Sequence, residues 1–185
     1  MPSFAMKRQS RRMPVRNFRL QSVHIDQIGT NAEGEFVWVE NGVPPKWGDQ
    51  ELHWFSEIVP QRRLMDWYAL SPDRWYEFAR LFRLQLREQT SKCEKLRQMA
   101  QKSQLNLVYQ QGTLKQNIAT VLEGFVIELE CQRRWESGLM IGGYTKPVRE
   151  QILALGGLWF TKHKTWMMPD ESSWKVIVDL LPGDF

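Results

Sequence analysis

The chain has 185 residues, of which 42% are hydrophobic and 25% charged, and its net charge is +4. This is ordinary globular composition, which excludes a wholly disordered or a fibrous protein. No apolar run reaches the roughly 18 residues that a membrane span needs. The basic N-terminus lacks the apolar segment of a secretory signal, so we expect a cytoplasmic protein.

The cysteines and histidines do not follow a metal-ligand pattern. Cys93 and Cys131 are far apart in the chain, and His24, His53 and His163 are scattered. Structural metal sites use closely spaced pairs of such residues. We therefore expect reduced thiols, no metal site and no cofactor.

The basic excess lies at the N-terminus. Residues 1–16 hold five bases and no acid, whereas residues 17–136 hold 15 bases and 16 acids. We predict a flexible basic arm over residues 1–16, which neutralises phosphates without reading sequence. A solubilising tail is the alternative. The candidate contacts in this arm are Lys7, Arg8, Arg11 and Arg12.

Residues 17–130 have the pattern of an α/β domain with a small, mainly parallel sheet flanked by helices. Alternating or β-branched runs predict strands over residues 18–25, 35–40 and 105–109.

Four helical segments are predicted between and after these strands. They cover residues 51–59, residues 64–70, a long helix that begins at a Ser71 cap, and residues 114–129. On the long helix, Trp75 and its apolar neighbours at helical spacing predict the core face. The opposite face carries Arg80, Arg83 and Arg87, and we expect it to be solvated rather than phosphate-binding.

The last part of the chain predicts a small α+β module over residues 138–185, with the order β-α-β-β-α. Residues 132–138 are polar and predict a linker before it. Thr145 and Pro147 indicate a helix start, and Asp170 or Ser172 caps the last helix. Residues 158–166 predict a hairpin in which Trp159 faces Trp166 across a Lys162-His163 turn, or across a longer loop.

The middle of the chain resembles the bacterial domain-of-unknown-function family 488 over about residues 19–129. That family has a tryptophan segment ending in proline, a Leu-x-x-Trp-Tyr segment, and Pro-Asp before Arg-Trp-x-x-Phe. A later strand precedes an asparagine at a helix start. The matching positions here are Trp54, Pro60, Leu64, Trp67, Tyr68, Pro72, Asp73, Arg74, Trp75, Phe78 and Asn117.

The polar positions of that family are changed in this chain. Glu40-Asn41 stands in place of its Asp-Arg, Gln116 in place of a histidine, and Gly112-Thr113 in place of an aspartate. Since these groups are the ones expected to perform chemistry, their loss favours binding over catalysis.

The C-terminal module resembles the HARP (HepA-related protein) domain of annealing helicases, which binds branched or single-stranded DNA, and related patterns occur in plasmid and phage proteins. The resemblance implies that aromatic rings and basic side chains of this module contact DNA. The matching positions are Tyr144, Gly156, Gly157, Trp159, Lys164, Trp166 and Pro169.

These patterns predict a non-catalytic DNA-binding accessory protein of a mobile element or an antiviral defence system. The candidate contacts in the module are Tyr144, Lys146, Arg149, Trp159, Lys162, Lys164 and Trp166, and the surface extends to Arg62, Arg63, Arg133 and Arg134. Alternatively, Trp159 and Trp166 only close a small core.

Two other functions stay open. One is an enzyme acting on nucleic acid or a nucleotide through Glu40, Asp26 and the polar groups that follow the strand at residues 105–109. The other is a protein–protein adaptor within a larger complex, because Trp and Arg dominate interface hot spots.

Overall fold

A four-stranded parallel sheet forms the first part of the fold. The computed structural model describes residues 18–29, 33–46 and 52–181, so the basic arm lies outside the described residues. The strands lie in the order β1-β4-β2-β3, with β4 at the centre between β1 and β2. Their bounds are β1, Leu20–His24; β2, Glu35–Trp38; β3, Leu52–Trp54; and β4, Leu105–Tyr109.

The long helices cover one face of this sheet. The predicted core face of the long helix is buried against Leu105 and Leu107 of β4. Its residues are Trp75, Phe78, Phe82 and Leu86. The α/β class with a parallel sheet is thus confirmed. The helices are α1, Arg62–Ala69; α2, Trp75–Glu88; α3, Thr90–Lys102; and α4, Ile118–Glu136.

The helix predicted for residues 51–59 is wrong. Leu52–Trp54 is the edge strand β3, in which Trp54 lies opposite Trp38 of β2 in parallel register, and a single 3-10 turn, Ser56–Ile58, follows it. The backbone pairing with β2 outweighs the local helical pattern, as tertiary context often does for short segments.

The long helix predicted from Ser71 is in fact two helices. Pro72 and Asp73 form a turn, and α2 begins only at Trp75, without a side-chain cap. The chain breaks again at Gln89, where the Thr90 hydroxyl donates to the carbonyl of Arg87 at 2.7 Å. Such local side-chain hydrogen bonds compete with the backbone hydrogen bonds of a helix, so α3 begins as a separate helix.

The predicted linker at residues 132–138 is mostly helical. Helix α4 begins after Asn117, whose side-chain oxygen accepts from the backbone of Thr120, and it continues to Glu136. The helix therefore starts later and ends later than the predicted range of residues 114–129. Its last turns are held by contacts with the C-terminal sheet.

The C-terminal unit has the predicted order β-α-β-β-α. A three-stranded antiparallel sheet has the order β5-β7-β6. Trp159 lies opposite Trp166 and Phe160 opposite Thr165, so the predicted register is confirmed, while the turn spans residues 161–164. Asp170 caps the last helix. The elements are β5, Met140–Ile141; α5, Arg149–Ala154; β6, Leu158–Phe160; β7, Thr165–Met167; and α6, Glu171–Leu180.

The two faces of the small sheet pack against different partners. Phe160 and Met167 lie against Cys131 of α4, whereas Trp166 and Ile141 lie against residues of α5 and α6. Alternation along each strand places these sets on opposite faces. The C-terminal sheet is thus a layer between α4 and its own two helices.

Candidate functional site

The carboxyl edge of the parallel sheet is where ligands bind in open α/β folds. Glu40 follows β2 at this edge and is 5% exposed. Its Oε1 accepts hydrogen bonds from the backbone N–H groups of Gln110, at 2.9 Å, and Gln111, at 2.6 Å, just after β4. The carboxylate therefore ties the ends of two neighbouring strands together.

The loop after β4 bonds mainly to itself. The backbone N–H of Gln116 donates to the Thr113 hydroxyl at 3.1 Å, and the Asn117 amide donates to the Thr113 carbonyl at 2.7 Å. Gly112 has φ +104°, and a Cβ there would lie 2.3 Å from the Gln116 carbonyl oxygen. The residues that replace the family's aspartate and histidine therefore build a tight turn.

A cleft of about 350 Å³ opens at this edge. Asp26, the other acid considered for catalysis, does not line it: its side chain is 85% exposed and lies 3.5 Å from His24. The cleft contains one buried carboxylate that is already hydrogen bonded. Its lining residues are Glu40, Asn41, Gly42, Arg62, Met65, Asp66, Gln111 and Ile118.

The two tryptophans of the hairpin have different environments. Their rings meet edge to face, with centroids 5.2 Å apart. Trp166 is buried, and its indole N–H donates to the Thr145 hydroxyl at 3.1 Å, whereas Trp159 is 45% exposed. The prediction that Trp166 stacks on bases is therefore wrong, because its faces are covered by the C-terminal core.

The remaining candidates in the module are all exposed. Besides Trp159, the Tyr144 ring is 72% exposed. The segment of Tyr144 adjoins the hairpin through the bond from Trp166 to Thr145. Residues 139–169 contain four bases and a single acid, Glu150. We define the hairpin surface as Tyr144, Lys146, Arg149, Trp159, Lys162 and Lys164.

The hairpin turn is held in place by a residue that sequence reasoning passed over. The His163 ring stacks on Trp135 of α4, with centroids 3.9 Å apart and planes 11° apart, and it also meets Phe160 edge to face. Lys162 and Lys164 flank this anchored histidine, and Lys164 has φ +50°. An aromatic residue between two bases in a turn was the available signal.

The prediction that the DNA-contact surface extends to Arg134 is wrong. Its side chain is 1% exposed and bonds the Glu130 carboxylate and the carbonyls of Gly156 and Met167. A guanidinium with these partners is part of the interior. Arg133 is 40% exposed and also pairs with Glu130. Arg62 and Arg63 are exposed on α1, and Arg62 lines the cleft at the carboxyl edge of the parallel sheet.

The thiols are buried and unreactive. Cys93 and Cys131 are both free, and burial raises the pKa of each to about 12. Thiolate is the reactive form, so neither residue is a nucleophile at neutral pH.

Neither a metal cluster nor a membrane span occurs in the part of the chain that the structure describes. Within residues 18–29, 33–46 and 52–181, no three His, Cys, Asp or Glu side chains come together to hold a metal ion. In the same ranges, no helix is both long and apolar enough to cross a bilayer.

The parallel sheet, with helices on its face and a closed polar loop at its carboxyl edge, defines the class of this part of the chain: an open α/β domain. The model of the inactive DUF488-N3 subclade matches residues 36–138, just over half of the chain. The chain therefore belongs to this subclade, and the resemblance to family 488 is confirmed. The match ends before the hairpin, and the HARP resemblance finds no support.

Comparison with curated proteins gave no match, and comparison with solved structures gave none either.

Proposed function

We propose that the protein is a non-catalytic DNA-binding accessory protein that contacts DNA through the hairpin surface. The observation that carries this proposal is the exposed ring of Trp159, backed by Trp166 and flanked by the lysines of a fixed turn. Exposed aromatic rings stack bases and neighbouring cations hold phosphates in proteins that bind single strands. A mobile element or defence system as its setting stays a prediction.

The rebuilt carboxyl edge favours binding over catalysis. Glu40 is the buried carboxylate nearest the family's site, and its Oε1 already accepts two backbone hydrogen bonds. A general base needs to be within reach of a substrate proton, and Glu40 lies in a cleft without a second buried acid. The subclade's description as inactive agrees with this argument.

The charge of the stretch that carries the hairpin surface favours a polyanion over a protein partner, although residues 138–185 as a whole hold five bases and five acids. Four bases against one acid in residues 139–169 give this stretch a positive field, and the arm adds five more bases. Binding of this positive stretch to phosphates is favourable because it releases the counterions of the nucleic acid. A protein interface instead concentrates its energy in rings and arginines and is less sensitive to salt.

The experiment is DNA binding by fluorescence anisotropy with a matched pair of tryptophan variants. Trp159→Ala removes the proposed stacking ring, and Trp54→Ala removes a ring of similar exposure, 40%, on the edge strand β3. Labelled single-stranded and duplex oligonucleotides serve as probes. We expect Trp159→Ala to weaken single-strand binding by about 1–3 kcal/mol, and Trp54→Ala to bind like the wild type.

Two results would contradict the proposal. One is the absence of binding to either probe at low salt, which would move the adaptor function to first place. The other is equal behaviour of the two variants, which would remove the hairpin from the DNA interface. Turnover of DNA, RNA or nucleotides that disappears in Glu40→Ala would instead support the enzyme alternative.

A further inference from the structure

A groove of about 460 Å³ lies beside the contact between the hairpin and the α/β domain. Helices α2 and α4 form one wall, and β6 with the start of its turn forms the other. Its volume is within the range of sites that take small molecules. The lining residues are Arg83, Gly124, Ile127, Glu128, Cys131, Trp159, Phe160, Thr161 and Lys162.

Arg83 is held across this groove rather than projecting into solvent. Its Nη2 pairs with Glu128, and its guanidinium carbon lies 5.7 Å from the centroid of the Phe125 ring. A Cβ at position 124 would lie 3.5 Å from Arg83 Nη1, an ordinary van der Waals distance, so this position of α4 faces the guanidinium. The side chain is 33% exposed, so Arg83 departs from the expected solvated face, whereas Arg80 and Arg87 are exposed as expected.

Hydrogen-bond donors in the groove are available to a ligand. Nε and Nη1 of Arg83 have no hydrogen-bond partner among the described residues, and Lys162 is exposed at the opposite rim. Arg83 and Glu128 neutralise each other, so Lys162 leaves the groove with one net positive charge. One phosphodiester carries one negative charge. Below the rim, Ile127 is partly exposed and forms the apolar floor, whereas Cys131 and Phe160 line the groove but are 0% and 3% exposed.

We infer that this groove binds one unpaired nucleotide of a DNA strand, with the base over the apolar floor and the Arg83 guanidinium, and the phosphate at Lys162. Guanidinium planes and aromatic rings stack unpaired bases. The inference rests on the proposed DNA binding and deepens it by naming the form of DNA. A duplex would have to flip a base out to fill the groove, which costs free energy. The protein therefore prefers single strands or unpaired ends.

The test fills the groove from its helical wall. Gly124→Leu places a side chain where the guanidinium and the base would lie, and Gln132→Leu adds the same side chain to α4 outside the lining residues. The probes are a labelled oligothymidylate of about 12 nucleotides, within the site sizes of single-strand binders, and a duplex of equal length. Circular dichroism verifies that each variant is folded.

We expect Gly124→Leu to lose about tenfold in single-strand affinity, the effect of one stacked base, with duplex affinity unchanged and Gln132→Leu like the wild type. The double variant Arg83→Gln/Glu128→Gln keeps the charge balanced and removes the guanidinium, so it provides a second test if Gly124→Leu does not fold. We expect it also to lose single-strand affinity alone.

Wild-type behaviour of the folded groove variants towards both probes would overturn the inference and leave the proposed function intact. An equal loss on both probes would also overturn it, since a single-nucleotide site acts on unpaired DNA. If the wild type binds neither probe, the proposed function fails, and the inference fails with it.

Discussion

Arg134 and Glu130 form a buried ion pair one turn apart on α4, with Arg134 Nε 2.7 Å from Glu130 Oε1 and both side chains 1% exposed. Arg97 of α3 bonds the same carboxylate at 2.6 Å. The other end of Arg134 reaches the carbonyls of Gly156 and Met167. This pair therefore joins the parallel-sheet domain to the C-terminal unit and sets the place of the hairpin surface.

Replacing this carboxylate should reveal an acid-dependent part of the stability. Burial alone would raise the pKa of Glu130, but hydrogen bonds from Arg133, Arg134 and Arg97 lower it to about 2. The stabilisation is present above the unfolded pKa of about 4.5 and is lost as the pH falls towards 2. We expect Glu130→Gln to lower the free energy of unfolding at pH 7 by about 3 kcal/mol.

Denaturant unfolding between pH 2 and pH 7 measures this difference. The deficit of Glu130→Gln should shrink as the pH falls, while Glu136→Gln, an exposed change on the same helix, should follow the wild type throughout. A constant deficit at every pH would contradict the assignment of the low pKa to Glu130.

The turn after β4 should depend on a glycine at position 112. Gly112 and Gly42 both have positive φ, +104° and +96°, but a Cβ meets the Gln116 carbonyl at 2.3 Å in the first case and nothing within 4 Å in the second. We expect Gly42→Ala to cost about 1 kcal/mol and Gly112→Ala at least about 2 kcal/mol more. Urea unfolding measures the loss of unfolding free energy in both variants. Equal losses would show that the turn adjusts to a Cβ at position 112 without strain.

Trp166 should behave as a core residue. Trp166→Ala removes a buried ring and its bond to Thr145, and we expect a loss of about 3–5 kcal/mol in unfolding free energy. Trp159→Ala, on the neighbouring strand, should cost about 1 kcal/mol or less because that ring is 45% exposed. Thermal unfolding compares the two variants. A large loss for Trp159→Ala would show that both rings are structural.

The basic arm should add affinity without selectivity. Residues 1–16 carry five bases and no acid, so their contacts would be made with phosphates. Deleting residues 2–16 should weaken binding to all probes by the same factor and flatten the salt dependence. An unchanged salt slope would remove the arm from the interface.

Local patterns predicted much of the fold. The strand β4 follows from its continuous apolar run, and the Trp159–Trp166 register follows from a turn centred on Lys162 and His163. β3 was missed because its three residues become a strand only by pairing with β2. The C-terminal end of α4 was missed because its polar residues are satisfied by partners distant in sequence.

The candidate site was less accessible to sequence reasoning. Glu130 and Arg134 have the spacing of an exposed helical ion pair, and only the distant carbonyls of Gly156 and Met167 explain their burial. In the same way, Arg83 belongs to an exposed pattern on α2, but Glu128 and the Phe125 ring of α4 give it a fixed position. Such contacts depend on how the helices pack against each other, and the hydrophobic periodicity of a single helix does not predict that packing.

The salt dependence of single-strand binding shows whether the lysines of the hairpin turn contact phosphates. Lys162→Ser/Lys164→Asn removes the two turn cations, with asparagine chosen because it tolerates the φ of +50° at position 164. Lys175→Gln removes an exposed lysine of α6 in the same unit. We expect the double variant to lower the slope of log Kd against log salt by about 1.4 and Lys175→Gln to leave it unchanged. Identical slopes for all three proteins would contradict a hairpin surface that binds DNA.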